Sequence, residues 1–379
     1  MSEATTFEQG PIRPPNEAGS LLIRVSRNCP WNRCLFCPVY KFDKFSRRST
    51  EEIKEDVDIM ARSVEDVKEL ARQSNKDGDV NQNTLGYVYN QKPDLFPVAH
   101  WLYHGEQSVF LQDADNIVYK GDKLAEIVRY IKEKIPGVSR ITTYARAKSL
   151  AKRSVEELQE VKDAGLSRVH VGLESGSDQV LEFMQKGVTA AEQIEAGQKV
   201  IDAGLILSEY VILGLGGRDY WQEHAEETAR VLNAINPHYI RLRTLAIHPA
   251  SPLAEEWKNG TFEPLSDEEI LKEERLLLEQ LEGIHSALYS DHILNLLEEV
   301  QGTLPNDKKF MLQVIDNYFN LKEKERNLFR LGRRAGLLRN LSELNNIPRR
   351  SRVEGIYKDL QKKGLTVDQF IEEIRTKYL

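Results

Sequence analysis

The sequence predicts an α/β protein built on a largely parallel sheet. Three observations carry this. Six short apolar runs alternate with five amphipathic stretches of helical period. Several of those stretches open on Ser or Thr with Glu three residues later, the pattern of a capping box. Several stop at glycine or Pro-Gly.

Leu21-Leu22-Ile23-Arg24-Val25 is the first strand, after a polar N-terminal segment, residues 1–19, expected to be a flexible tail. A loop comes next, Cys29-Pro30-Trp31-Asn32-Arg33-Cys34-Leu35-Phe36-Cys37-Pro38. Ser49 and Glu52 open a helix whose apolar positions Ile53, Val57, Met60, Val64, Val67 and Ala71 fall on one face. Residues 75–106 are polar, carry Gly78, Asn81 and Asn83, and read as an insertion. Ser108–Leu111 is the second strand and runs into Gln112-Asp113-Ala114-Asp115. Leu124, Ile127, Val128, Ile131 and Ile135 mark a helix stopped by Pro136-Gly137. Arg140–Tyr144 is the third strand, and a helix boxed by Ser154 and Glu157 stops at Gly165. Arg168–Leu173 is the fourth, and a helix boxed by Thr189 and Glu192 stops at Gly204. Leu205–Leu213 is the fifth, with a helix after it over about Trp221–Ile235, and Tyr239–Leu245 is the sixth. This alternation implies right-handed crossovers, in either an open doubly wound sheet or a partial barrel. Beyond Pro252 the pattern is helical. Ser266 and Glu269 open a long helix carrying Ile270, Leu277, Leu278, Leu281, Ile284 and Leu288. His292 and Asn295 have the spacing of one helix face, and Val367, Phe370, Ile371 and Ile374 mark the last helix.

Length allows one large domain with a smaller appendage: 379 residues, 40% of them hydrophobic. No run approaches the ~18 apolar residues of a membrane-spanning helix, so no membrane insertion is expected. The first residues, with Pro11, Pro14 and Pro15, lack a basic start and an apolar run after it, which sets the expectation of a cytoplasmic protein. A net charge of −7 argues against a globally basic nucleic-acid footprint, so nucleic acid is a less favoured partner.

The three cysteines lie within nine residues, spaced Cys-x4-Cys-x2-Cys. An odd, clustered set is a poor disulfide framework and a good soft-ligand site. Structural zinc wants four protein ligands. A cubane on three cysteines leaves one iron open to a cofactor or substrate. Zinc completed by a distant His or a water, and three plain thiols, are the competing readings.

These residues resemble the radical S-adenosylmethionine (SAM) superfamily. Its usual signature is Cys-x3-Cys-x2-Cys after the first strand of a partial (β/α)6 barrel, with an aromatic before the third Cys. Phe36 stands there, and the first gap is one residue longer. Gly172-Leu173-Glu174-Ser175-Gly176-Ser177, then Gln179-Val180-Leu181 and Lys186-Gly187, is similar to the fourth-strand motif of the branch that includes oxygen-independent coproporphyrinogen III oxidase, methylthiotransferases and the Elongator catalytic subunit. Val211-Ile212-Leu213-Gly214-Leu215-Gly216-Gly217 is similar to that branch's fifth-strand end.

The resemblance covers about residues 20–255 and implies a radical SAM partial barrel over them, with residues 256–379 a helical C-terminal domain. It implies a [4Fe–4S] cluster on Cys29, Cys34 and Cys37, and SAM as the second cofactor. Gln112 and Asp113 would meet the methionyl amino group, where the family usually has Gly-Gly-Glu. Arg146 would meet the carboxylate. Glu174 and Ser175 would meet the ribose or amino group, and Ile212, Gly214 and Gly216 would place backbone beside the adenine. Bland readings stand beside these: turn or helix-entry carboxylates at Asp113, Asp115 and Glu174, and turn glycines at Gly214 and Gly216. The cysteines, Gln112-Asp113, Arg146, Glu174 and Gly214 all follow strand ends, where α/β proteins build their sites.

The implied activity is reductive SAM cleavage to a 5′-deoxyadenosyl radical that removes hydrogen from an unidentified substrate, with a reducing donor such as flavodoxin or ferredoxin. The alternative is an iron–sulfur carrier or sensor that binds SAM without cleaving it. All three cysteines are used, so no auxiliary cluster can be assembled from this sequence. Lys322, Lys324, Arg326, Arg330, Arg333, Arg334 and Arg339 suit a small anionic substrate or an RNA; a solvated helix face is the competing reading.

Overall fold

The computed structural model describes residues 6–75, 77–105 and 107–375. Its strands are β1 (Leu21–Arg24), β2 (Ser26–Arg27), β3 (Ser46–Arg47), β4 (Ser108–Gln112), β5 (Arg140–Ala145), β6 (Leu166–Glu174), β7 (Ile206–Leu213), β8 (Tyr239–Thr244), β9 (Ala287–Tyr289) and β10 (Gly302–Thr303). The helices α1 (Thr50–Ser74), α2 (Gln82–Gln91), α3 (Phe96–His104), α4 (Gly121–Lys134), α5 (Ala147–Ala151), α6 (Val155–Ala164), α7 (Asp178–Phe183), α8 (Ala190–Asp202) and α9 (Gly217–Ile235) lie between β3 and β8. Then come α10 (Leu253–Lys258), α11 (Asp267–Gln280), α12 (Lys308–Phe319), α13 (Glu323–Arg334), α14 (Ile347–Lys362) and α15 (Val367–Arg375). The predicted α/β class is the observed one, and all six expected strands are present. Among the described residues no helix is long and apolar enough to cross a membrane.

The capping boxes form as the sequence predicts. Ser49 and Glu52, Ser154 and Glu157, Thr189 and Glu192, and Ser266 and Glu269 each exchange side-chain-to-backbone hydrogen bonds. Each box satisfies two backbone N–H groups that a helix start would leave open.

The chain is organised into two compact units. The first comprises the residues up to Pro30, Phe42–Val171 and Gln198–Leu207; the second comprises Trp31–Lys41, Gly172–Gly197 and everything from Ser208 onward. This division does not coincide with the expected boundary near residue 255. In the first unit β1 pairs β4, β4 pairs β5 and β5 pairs β6, all parallel, with Leu21 opposite Val109 and Val109 opposite Ile141. Every residue of β4 is buried, as for a parallel strand covered on both faces. In the second unit β7 pairs β8 and β8 pairs β9 in parallel, and β9 pairs β10 antiparallel.

Three expectations are corrected, and the expected insertion gains structural detail. Part of the segment expected to be a flexible tail is held in place. Glu17, fully buried, accepts from the Ser20 hydroxyl at 2.5 Å and pairs with Arg140 at 3.2 Å and His170 at 3.3 Å. The 75–106 insertion is mostly helical, with Val88, Val98, Ala99 and Trp101 buried on α2 and α3. The long helix ends at Gln280; Gly283 (φ 70°) comes next, and Leu288 is buried in β9 instead. His292 and Asn295 lie in irregular chain, not on a helix. There the Asn295 amide donates to Leu242 O and Ser290 Oγ, and its oxygen accepts from Thr244.

The arginines of the basic stretch are engaged in ion pairs, and Lys322, Lys324 and Arg339 are exposed to solvent. Arg334 pairs with Asp267 at 2.6 Å, both side chains buried, and donates to Leu294 O. Arg333 donates to Asn295 O and pairs with Glu298 at 3.0 Å. Arg330 pairs with Asp267 and Asp368, Arg326 with Glu268, and Arg339 with Glu298. A helix that buries arginines must bring carboxylates to them. Arg334→Ala leaves Asp267 buried without its closest cation. It is expected to cost about 3–5 kcal/mol in chemical denaturation; a loss under about 1 kcal/mol, the range of exposed pairs, would contradict this.

Candidate active site

The first unit carries the start of the cysteine loop. Asp113, fully buried one residue past β4, accepts from Arg24 Nε at 2.7 Å and from the Asn28 backbone N–H at 3.1 Å. The Asn28 side chain donates to Lys44 O at 2.7 Å. Asp113 therefore fixes the residue before Cys29. A Cβ on Gly10 would meet Asp113 Oδ1 at 2.7 Å, so this approach requires glycine. The Gln112 amide is engaged beside it: Oε1 accepts from Gly10 N–H, and Nε2 donates to Gly10 O and Ile12 O. Arg146 comes just after β5 and stands at the N-terminus of α5. Near it Asp115 is fully buried, accepts from Ser149 Oγ at 2.5 Å, and is pushed up to about 6 by burial, which the Arg146 charge partly opposes.

The second unit carries the rest of the loop. Leu35 is its anchor, buried with Val180, Met184, Leu215, Leu253 and Phe262. Its N–H donates to Met184 O at 3.0 Å, and its carbonyl accepts from Leu253 N–H at 2.9 Å. Burying Leu35 leaves Cys34 and Cys37 half-buried on either side, with Cys37 N–H donating to Cys34 O and Lys41 Nζ donating to the same carbonyl at 2.7 Å. Trp31 donates to Gln185 O and covers Gly187 (φ 70°), where a Cβ would overlap the indole. None of the three cysteines forms a disulfide.

Glu174 ends β6 with φ 64° and pairs with Lys186 Nζ at 3.1 Å. That ammonium also lies 5.7 Å from the centroid of the Phe36 ring, a cation–π contact that joins the β6 end to the cysteine loop. Glu209 on β7 is buried, with Oε2 lacking a hydrogen-bond partner. Burial, reinforced by the Glu174 charge, pushes its carboxyl well above the usual range.

Behind these residues lies a buried polar chain. Burial pushes His224 down to about 4, so its imidazole is neutral. Nε2 lies 3.1 Å from Ile212 O and donates to it; Nδ1 then accepts from Ser175 Oγ at 2.8 Å. Thr228 Oγ1 accepts the Gly176 N–H at 2.9 Å. Gly176 lets α9 approach, since a Cβ there would overlap Glu227 O, and Gly216, the N-cap of α9, leaves room for that helix's first turn, where a Cβ would meet Tyr220 O at 2.8 Å. Gly214 has φ 84°, and its N–H donates to Glu273 Oε1 at 2.7 Å. A separate cavity of about 540 Å³ in this unit, lined by Arg218, Trp257, Lys272 and Arg330 among others, includes none of the residues expected to meet the cluster or SAM, but does include Arg330 of the basic stretch.

The sequence marks Lys186 only as part of a motif, and it does not single out Glu209, His224 or Glu273 as site-supporting groups. Signals existed. Glu209 is the lone acid in a strand, and Glu273 sits on the apolar face marked by Ile270 and Leu277.

The structure thus combines an α/β fold with parallel strands and a three-thiol loop after β1. The radical SAM superfamily model matches residues 23–232, more than half of the chain, and the chain belongs to that superfamily. The cofactors are those of the family, a [4Fe–4S] cluster and SAM, and the family requires a reductant. The donor set suits such a cluster: three thiols on one loop, and no fourth cysteine in the sequence. Among the described residues no three His, Cys, Asp or Glu side chains are grouped as ligands of a single metal ion.

The tRNA uridine(34) acetyltransferase of Methanocaldococcus jannaschii is 25% identical over 118 residues, 31% of this chain and 22% of that protein. Its counterpart in Methanocaldococcus infernus is 24% identical over 120 residues, with the same coverage. The match thus spans about a fifth of these relatives' length. Among solved structures, Escherichia coli coproporphyrinogen III oxidase, a radical SAM enzyme, is 14% identical with a TM-score of 0.44, over 74% of this chain and 54% of that one. Methylornithine synthase is 15% identical with a TM-score of 0.42, over 70% and 63%.

Burial pushes Glu273 and Glu274 up to about 8, so both carry protons when folded at neutral pH. In the unfolded chain they titrate near 4.5, so unfolding releases protons and stability falls as pH rises from there toward 8. Glu274→Gln is expected to flatten the loss of urea midpoint between about pH 6 and pH 8. An unchanged slope would contradict a neutral Glu274.

Proposed function

We propose that this chain is a SAM-cleaving radical enzyme acting on a substrate by hydrogen abstraction, with Cys29, Cys34 and Cys37 as the cluster ligands. The observation that carries the reading is the loop itself: burial of Leu35 presents Cys34 and Cys37, and Asp113 fixes the entry to Cys29. When bound, a cluster held there would supply one electron to the SAM sulfonium, and SAM would supply the 5′-deoxyadenosyl radical and leave methionine. The chain's residues bind and orient. Glu174, steered by Lys186, and Ser175, oriented by His224, face the ribose and amino group. The Ile212–Gly216 backbone receives the adenine, and Arg146 the carboxylate. Asp113 serves by placing the loop, and Gln112 by holding the N-terminal segment. The electron donor is a low-potential carrier of the flavodoxin or ferredoxin kind. With Arg326, Arg330, Arg333, Arg334 and Arg339 engaged in ion pairs and Lys322 and Lys324 exposed, the tail gives less support to an anionic substrate or RNA.

The test is anaerobic reconstitution with iron and sulfide, reduction, addition of SAM and assay of 5′-deoxyadenosine. The expected result is its formation by the wild type and its loss in Cys34→Ala, which keeps the fold but not the full iron complement. Four irons per chain with no cleavage would favour the carrier reading. A Cys34→Ala protein with full iron would remove the ligand assignment.

A further inference from the structure

Glu273 belongs to α11, beyond the stretch that the family model matches. Its carboxyl is fully buried and reaches the Gly214 N–H at 2.7 Å, with the same oxygen 3.6 Å from His224 Nε2. Gly214 N–H is the first backbone donor after β7, in the left-handed conformation that aims the turn. The Gly217 N–H closes that turn on Gly214 O at 3.1 Å. His224 holds Ile212 O on one side of the same turn and Ser175 on the other. The β6 end, the β7 end, α9 and α11 therefore meet in one buried hydrogen-bond chain.

We propose that Glu273 is a positioning residue for SAM, fixing the Gly214 turn so that the Ile212–Gly216 backbone is preorganised for the cofactor's nucleoside. The helical extension thus contributes to cofactor binding without touching the cofactor. The inference rests on the proposed function's placement of SAM at that turn. The position requires an acceptor, not a charge: burial holds the acid neutral, and a carbonyl oxygen of the same reach does the same task. A buried donor left without an acceptor loosens the backbone it belongs to.

The experiment measures SAM binding by equilibrium dialysis with labelled SAM on anaerobically reconstituted full-length protein, with iron content and thermal midpoint in parallel. Glu273→Met keeps the volume and removes the acceptor; Glu273→Gln keeps both. The expected result is a SAM Kd raised about ten-fold in Glu273→Met, wild-type iron in both variants, and Glu273→Gln within about two-fold of wild type. If Glu273→Met does not fold, Glu273→Asp, which withdraws the acid by one methylene, is judged by the same criteria. Wild-type affinity in Glu273→Met overturns the proposal. So does equal weakening in Glu273→Met and Glu273→Gln, or loss of iron together with SAM binding, which marks a merely structural role. A wild-type protein that carries iron and binds no SAM removes the underlying reading, and this inference with it.

Discussion

A buried carboxylate must be paired or protonated, and Asp113 is paired. It lies wholly inside the first unit, and Arg24 from β1 reaches it at 2.7 Å. The lone pairs left over take the Asn28 N–H, which fixes the chain one residue before the first cysteine. Gly10 closes over it because no Cβ fits, and Gln112 holds the same segment. The N-terminal segment, the β1–β4 pair and the entry to the cysteine loop thus share one electrostatic constraint.

The second unit solves the same problem in both ways. Asp267 is paired, with Arg334 beside it, and this links the start of α11 to α13. Glu273 and Glu274, farther along α11, have no Lys or Arg ion pair among the described residues, and burial pushes both up to about 8. The two solutions have different uses. Charged pairs hold elements together, while a neutral acid presents a hydrogen-bonding group at a chosen backbone atom. Glu273 does so at Gly214, and neutral His224 does the same at Ile212 and Ser175. Chemistry on a charged sulfonium benefits from such a surround, in which polar groups are fixed in advance.

The sheet strands and helix starts were legible because their signals are local: apolar runs, Ser or Thr with Glu three residues on, and glycine stops. The cysteine loop stood out because its three thiols are close in sequence. Less legible were side chains whose role depends on the groups that pack against them. Arg334 looks like a ligand-binding cation until Asp267, 67 residues away, is found on it. The bonds of Gln112 to Gly10 and Ile12, and of Asp113 to Arg24 and Asn28, likewise depend on chain far away in sequence. Leu288 continues a helical period only if Gly283 is ignored. Glu273 escapes notice because an acid on an apolar helix face has no meaning until its acceptor role at Gly214 is seen.

The most direct test of the account is the electron paramagnetic resonance spectrum of the reduced, reconstituted protein with and without SAM. The account predicts a cluster signal that changes when SAM is added and is lost in Cys37→Ala. A full complement of iron and sulfide whose signal is indifferent to SAM, or zinc in place of iron, would contradict it.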